Sequence, residues 1–166
     1  LNASHNVQPR AASEIVISAF ANFSAEAHDA TLQHFCDTVT GKNRNRYADM
    51  ITRLRRIDSE ANEDSEKAYK AIKSALPAVT PSCRCAPGMS SKAQESFNGV
   101  WCVDIDGKHN PHIKPDRWGI VRHKLGKLDC CYLSALSAGG KGVFLLLAVD
   151  PAQEPKVILE ALRRKF

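Results

Sequence analysis

The chain has 166 residues, 43% of them hydrophobic and 25% charged, the balance of one soluble-type globular domain. This composition excludes a disordered tail, a collagen-like fibre and a coiled-coil rod, and no apolar run approaches the roughly 20 residues a bilayer span needs. Lys and Arg number 23 against 18 Asp and Glu, and a formal charge of +5 admits a polyanionic partner without requiring one.

Residues 1–13 are polar and aperiodic and read as a frayed end, and residues 14–166 read as a single domain. The chain opens on Leu1 and closes on Arg163-Arg164-Lys165-Phe166 inside a helical pattern, so it is expected to be a piece of something longer. No signal peptide is visible, which makes the cytoplasm the default compartment. The β-branched run Glu14-Ile15-Val16-Ile17-Ser18-Ala19-Phe20 predicts a first strand. Leu32, Phe35 and Val39 recur at helical spacing and predict a helix over residues 24–38. Tyr47, Ile51, Leu54 and Ile57 predict an amphipathic helix whose other faces carry Arg44, Arg46, Arg53, Arg55 and Arg56. The acidic stretch over residues 58–67 reads as a turn, and Tyr69, Ile72 and Leu76 then resume a helix that Pro77 stops.

Pro77-Ala78-Val79-Thr80-Pro81-Ser82 predicts extended chain, and residues 86–98 read as a loop. Residues 99–106 are the clearest strand. A helix is expected over residues 116–125, with Trp118 on its apolar face and Gly126 as its stop. Residues 130–136 and 143–149 form two further strands, joined by Ser137-Ala138-Gly139-Gly140-Lys141-Gly142, a connection short enough for an antiparallel hairpin. The second of the two is continuously apolar, as a strand buried on both faces would be. Pro155 opens a terminal helix. The pattern is α+β, with a mixed or antiparallel sheet and flanking helices.

Chemistry concentrates in two places. In Val100-Trp101-Cys102-Val103-Asp104-Ile105-Asp106 side chains alternate faces, so Trp101, Val103 and Ile105 belong to the core, and Asp104 and Asp106 project side by side. Adjacent like charges repel unless a cation sits between them, and a hard ion such as Mg²⁺ or Mn²⁺ suits these oxygens. Strand-end acids of this kind recur in metal-dependent phosphoryl and nucleotidyl transfer, but a DxD pair also commonly begins a turn. The second place is the glycine-rich hairpin. Its backbone N–H groups can cradle an anion, and Lys141 offers a point charge for phosphate oxygens. It is not a Walker A loop, because Lys141 is followed by Gly142 and a strand rather than by Ser or Thr and a helix. His109 and His112, just past the acids, are candidate third ligands, although exposed loop histidines more often have no such role, and Trp101 and Trp118 read as core anchors. Cys36, Cys83, Cys85, Cys102, Cys130 and Cys131 lack zinc-site spacing and read as reduced structural thiols.

Leu76-Pro77-Ala78-Val79-Thr80-Pro81-Ser82, then Phe97-Asn98-Gly99 with the acid-bearing strand, then residues 134–144, together resemble a known family. It is the N-terminal domain that precedes virulence-associated protein E helicase regions, in the archaeo-eukaryotic primase-polymerase superfamily. The resemblance implies an RRM-like primase-polymerase fold in a mobile-element or phage replication protein. It implies metal-dependent nucleotidyl transfer on a DNA template, with a helicase region on the same polypeptide. Asp104 and Asp106 match the metal-holding catalytic motif, and Ser137, Gly140, Lys141 and Gly142 match the nucleotide-binding loop. Phe144 stands where that family's histidine is expected, and its third motif, another aspartate, is expected beyond Phe166. Asp150 is the only acid soon after the hairpin. Arg53, Arg55 and Arg56, with Lys67, Lys70 and Lys73, are candidates for template phosphates or simply a solvated helix face.

Two other readings stay open. The domain is alternatively a catalytically degenerate module that binds DNA or nucleotide. Asp104-Ile105-Asp106-Gly107 also resembles the first motif of haloacid-dehalogenase-type phosphatases, although Lys108 stands where those usually carry Thr.

Overall fold

The computed structural model describes residues 10–22, 24–42, 47–57, 61–85, 94–152, 156, 157 and 160. Across the end of the segment read as frayed, Ala12–Glu14 forms one 3-10 turn, and the Arg10 carbonyl accepts a hydrogen bond from the Tyr132 hydroxyl at 3.0 Å. Strand β1, Val16–Phe20, follows as expected and buries Ile17, Ser18 and Phe20. Strand β2, His28–Thr31, pairs antiparallel with β1, and helix α1, Leu32–Val39, starts directly after it.

The helix expected over residues 24–38 is therefore shorter at its start. Helical spacing of apolar residues begins only at Leu32, and Thr31 caps the helix by accepting from the His34 N–H at 3.1 Å. Helix α2, Ala48–Arg56, anchors on the fully buried Leu54. Helix α3, Glu63–Ala75, begins inside the acidic stretch read as a turn. Glu63, Asp64 and Glu66 occupy its first turn, where carboxylates meet the positive end of the helix dipole, and Asn62 caps it through the Ser65 N–H at 2.8 Å.

Strand β3, Ala78–Thr80, joins β1 on its other edge to complete a sheet of order β2-β1-β3. Strands β4, Cys83–Cys85, and β5, Gln94–Phe97, pair with each other. The loop read over residues 86–98 thus ends in a strand, because β4 offers an open edge for its backbone; residues 86–93 lie outside the described residues. The buried Ser18 hydroxyl accepts from the Cys85 N–H at 2.8 Å and ties the first sheet to the second.

Strand β6, Val100–Asp106, leads through two 3-10 turns to helix α4, Trp118–Leu125. Strands β7, Cys131–Leu136, and β8, Gly142–Ala148, form the expected antiparallel hairpin. The sheet order is β6-β8-β7, so the apolar β8 is central and buried on both faces. On one face Leu146 packs with Val100, Leu133 and Ala135 against Ile17, Leu32 and Cys36. On the other, Val143, Leu145 and Leu147 pack on Trp118 of α4, with Val103 and Ile105 alongside. Trp118 is a core anchor. Trp101, expected in the core, is a half-buried rim residue meeting Phe97 edge-on at 6.2 Å, because it sits near the start of an edge strand.

The architecture is α+β, with small antiparallel sheets and four α-helices among the described residues. No doubly wound parallel sheet is present among them, which removes the haloacid-dehalogenase reading. No described helix is long and apolar enough to cross a membrane. The terminal helix expected from Pro155 lies largely outside the described residues, with Lys156, Val157 and Glu160 helical.

Two predictions follow from this core. Leu146→Ala removes buried methyl groups from the doubly covered strand and is expected to cost about 2–5 kcal/mol in urea unfolding. Burial, with Asp37 second, pushes the Cys36 thiol from its ordinary 9.0 up to about 11. A thiol raised on folding favours the native state below its unfolded pKa and loses that contribution as pH climbs toward the folded value. Stability is therefore expected to fall between pH 9.0 and about 11, and Cys36→Ala should flatten that fall in unfolding titrations.

Candidate functional site

Strand β6 lies at a sheet edge and alternates as its sequence requires, with Cys102, Asp104 and Asp106 exposed and Val103 and Ile105 half-buried. The register with β8 sets Asp104 opposite Phe144 and Asp106 opposite Gly142. Directly opposed residues share a face, with Cβ atoms about 4.5–5.5 Å apart. The acids therefore stand beside the start of β8, where the glycine-rich hairpin delivers its loop. Antiparallel pairing sends the end of β8 the other way. Ala148 opposes Val100, and the Val149 N–H donates to the Gly99 carbonyl at 2.9 Å. Asp150 is thus separated from the acid pair by the length of β8, about 20 Å at the usual rise per residue. Its carboxylate instead accepts from the Ala152 N–H at 2.9 Å, so it does not complete the acidic site.

Asp104, Asp106, Lys108, Ser137, Lys141 and Gly142 line one cleft of about 430 Å³, whose lining also includes Cys102, Phe144, Tyr69 and Lys73. The two sequence motifs are brought together. Their backbones also meet: the Gly107 N–H donates to the Lys141 carbonyl at 2.8 Å. A Cβ at Gly107 would overlap that carbonyl oxygen, so the acid-bearing strand and the loop approach this closely only with glycine there. Within the loop, the Ser137 N–H donates to the Gly142 carbonyl and the Gly140 N–H to the Ser137 carbonyl, each at 2.9 Å. Gly140 lies behind the cleft wall rather than on it, at φ 75°, against the Arg55 side chain.

Asp106 does begin a turn, since its Oδ1 accepts from the Lys108 N–H at 2.7 Å and its carbonyl from the Asn110 amide at 2.9 Å. Its Oδ2 and both oxygens of Asp104 accept nothing from any described residue. Among the described residues no group of three or more His, Cys, Asp and Glu gathers, and neither His109 nor His112 lines the cleft. This donor set suits an ion that keeps water and takes substrate phosphate oxygens, as Mg²⁺ does, rather than a cage made by protein alone. Crowding around Cys102, and secondly the Asp104 carboxylate, hold its thiol above the ordinary value.

The basic residues divide. Lys67 and Lys70 pair with Glu63 and Glu66 at 2.7 and 2.6 Å along the exposed side of α3. Lys73 instead stands over the Tyr69 ring, 5.9 Å from its centroid, and faces the cleft. Tyr69 and Lys73 share a helix face at i and i+4, a spacing visible in the sequence, but only tertiary packing brings that face over the hairpin. Arg53 and Arg56 are exposed on α2; Arg44 and Arg46 lie outside the described residues. Arg55, grouped with the template candidates, is exposed but turned onto the hairpin loop. Its Nε donates to the Ala138 carbonyl and its Nη2 to the Ser137 carbonyl, each at 3.2 Å. The loop carbonyls outcompete solvent for a planar donor fork that can reach both.

Phe144, at the position where a histidine was expected, packs its ring 6.4 Å from Phe35 and joins the core beneath the acids. Comparison of the chain with protein-family models, with curated proteins and with solved structures finds no match.

Gly107→Ala is expected to separate strand from loop and lower stability by about 1–3 kcal/mol, the range for forcing extra atoms into close packing, read by urea unfolding.

Proposed function

We propose that this domain is a primase-polymerase-like module whose cleft binds a metal-chelated nucleoside triphosphate and transfers its nucleotide to a DNA-templated primer. The observation that carries this reading is one cleft lined both by two acids, three of whose four oxygens accept nothing from any described residue, and by a glycine-rich, lysine-bearing loop. Neither half is specific alone. Their meeting is what a triphosphate chelated to a divalent cation requires: carboxylates for the ion, and N–H groups and cations for the phosphates.

Asp104 and Asp106 would hold Mg²⁺ or Mn²⁺, which when bound neutralises triphosphate charge and activates an attacking hydroxyl. Lys141, Lys73 and Lys108 supply positive charge along the remaining wall, and Ser137 supplies a hydroxyl donor. Phosphoryl-type transfer needs positioning and electrostatics rather than a covalent nucleophile, and the cleft contains the residue types for both. Phe144 gives the cleft an apolar surface suited to a sugar or base. Arg53 and Arg56, exposed on α2, are the template candidates that remain.

A second reading, nucleotide binding without transfer, is favoured by two features. The cleft has Phe144 where the resembling family places a histidine, and among the described residues no third carboxylate lines it. Primer extension with Mn²⁺ and dNTPs separates the two. Incorporation by the wild type that falls at least a hundredfold in Asp104→Ala, with DNA binding retained, supports transfer. Mn²⁺-dependent dATP binding without incorporation supports the second reading, and no dATP binding at all removes both.

A further inference from the structure

The Arg55 fork bears on how the loop presents itself. Its two donors take consecutive carbonyls, Ser137 and Ala138, each at 3.2 Å. The described peptide bonds include no cis bond, and in a trans peptide the carbonyl and the following N–H point in opposite directions. Fixing the carbonyls of Ser137 and Ala138 against Arg55 therefore aims the N–H groups of Ala138 and Gly139 away from it. Ala138 and Gly139 line the cleft, whereas Arg55 does not. Those two N–H groups donate to no described protein group. Gly140 permits the arrangement, since its positive φ of 75° turns the chain in a way that L side chains rarely adopt, beside the Arg55 side chain.

We propose that Arg55 is a positioning residue for the phosphate-binding loop: gripping two carbonyls from behind, it holds two consecutive N–H groups toward the triphosphate. This deepens the function proposed above and rests on it. The guanidinium contributes in two ways. It fixes loop orientation before ligand arrives, so less conformational freedom is lost on binding. It also offsets the negative ends of the two peptide dipoles nearest the anion. Arginine is needed because its planar fork reaches both carbonyls at once, whereas a lysine ammonium carries the charge without that geometry. Arg55 is thereby removed from the template-binding set, and Arg53 and Arg56 stay in it.

The test compares wild type, Arg55→Ala and Arg55→Lys by titration with dATP and Mn²⁺, together with amide hydrogen exchange over residues 137–142. Arg55 is exposed, so both variants are expected to fold, which circular dichroism checks. Both should bind dATP about ten- to a hundredfold more weakly, the worth of one oriented hydrogen bond to a charged group. Loop amides should exchange faster while the β8 core is unchanged, and Mn²⁺ binding in the absence of nucleotide should stay within twofold. Wild-type affinity in Arg55→Lys would show that charge alone suffices and overturn the proposal. So would unchanged affinity in Arg55→Ala. A wild type that binds no dATP would remove the underlying reading and this proposal together, an outcome distinct from variants that match a binding-competent wild type.

Discussion

The double burial of β8 is the constraint on which the rest depends. A run of Val143, Phe144, Leu145, Leu146 and Leu147 cannot leave either face in water, so it must be the middle strand of a sheet covered on both sides. Helix α4 covers one side, and α1 with the first sheet covers the other. Once β8 is central, β6 and β7 can only be its flanks. The start of β8, where its hairpin loop ends, is then held beside the end of β6, where the acids stand. The cleft is a consequence of that pairing.

Packing around the cleft distributes charge in a way composition does not reveal. Helix α3 pairs two lysines with glutamates on its solvent side and keeps Lys73 for the cleft. Exposed pairs of this kind contribute little to stability. Their effect here is to leave positive charge concentrated on the side facing the loop. Helix α2 does the same at closer range, since Arg55 grips the loop carbonyls while its neighbours Arg53 and Arg56 remain in solvent. A sequence-level count of basic residues treats these as one patch, but they serve different surfaces.

Several departures from the sequence reading share a cause. Residues 28–31 and 94–97 carry no strong strand pattern, yet each pairs, because a neighbouring strand has an open edge whose N–H and C=O groups need partners. The acidic start of α3 reads as a turn from its polarity, yet its charges complement a helix N-terminus. Asp150 fails as a third acid for a topological reason: an antiparallel strand carries everything after it away from the place where it began.

The sequence by itself determined which residues have chemistry to offer and which strand must be buried. Alternation over Val100–Asp106 placed Asp104 and Asp106 on one face, and the uninterrupted apolar run after Gly142 marked a central strand, since both signals are local and periodic. Tertiary structure alone decided that Tyr69 and Lys73 complete the cleft, that Arg55 grips the loop carbonyls, and that Asp150 lies at the wrong end. Those outcomes turn on contacts between residues tens of positions apart, which depend on register and helix docking and leave no periodic trace in the chain.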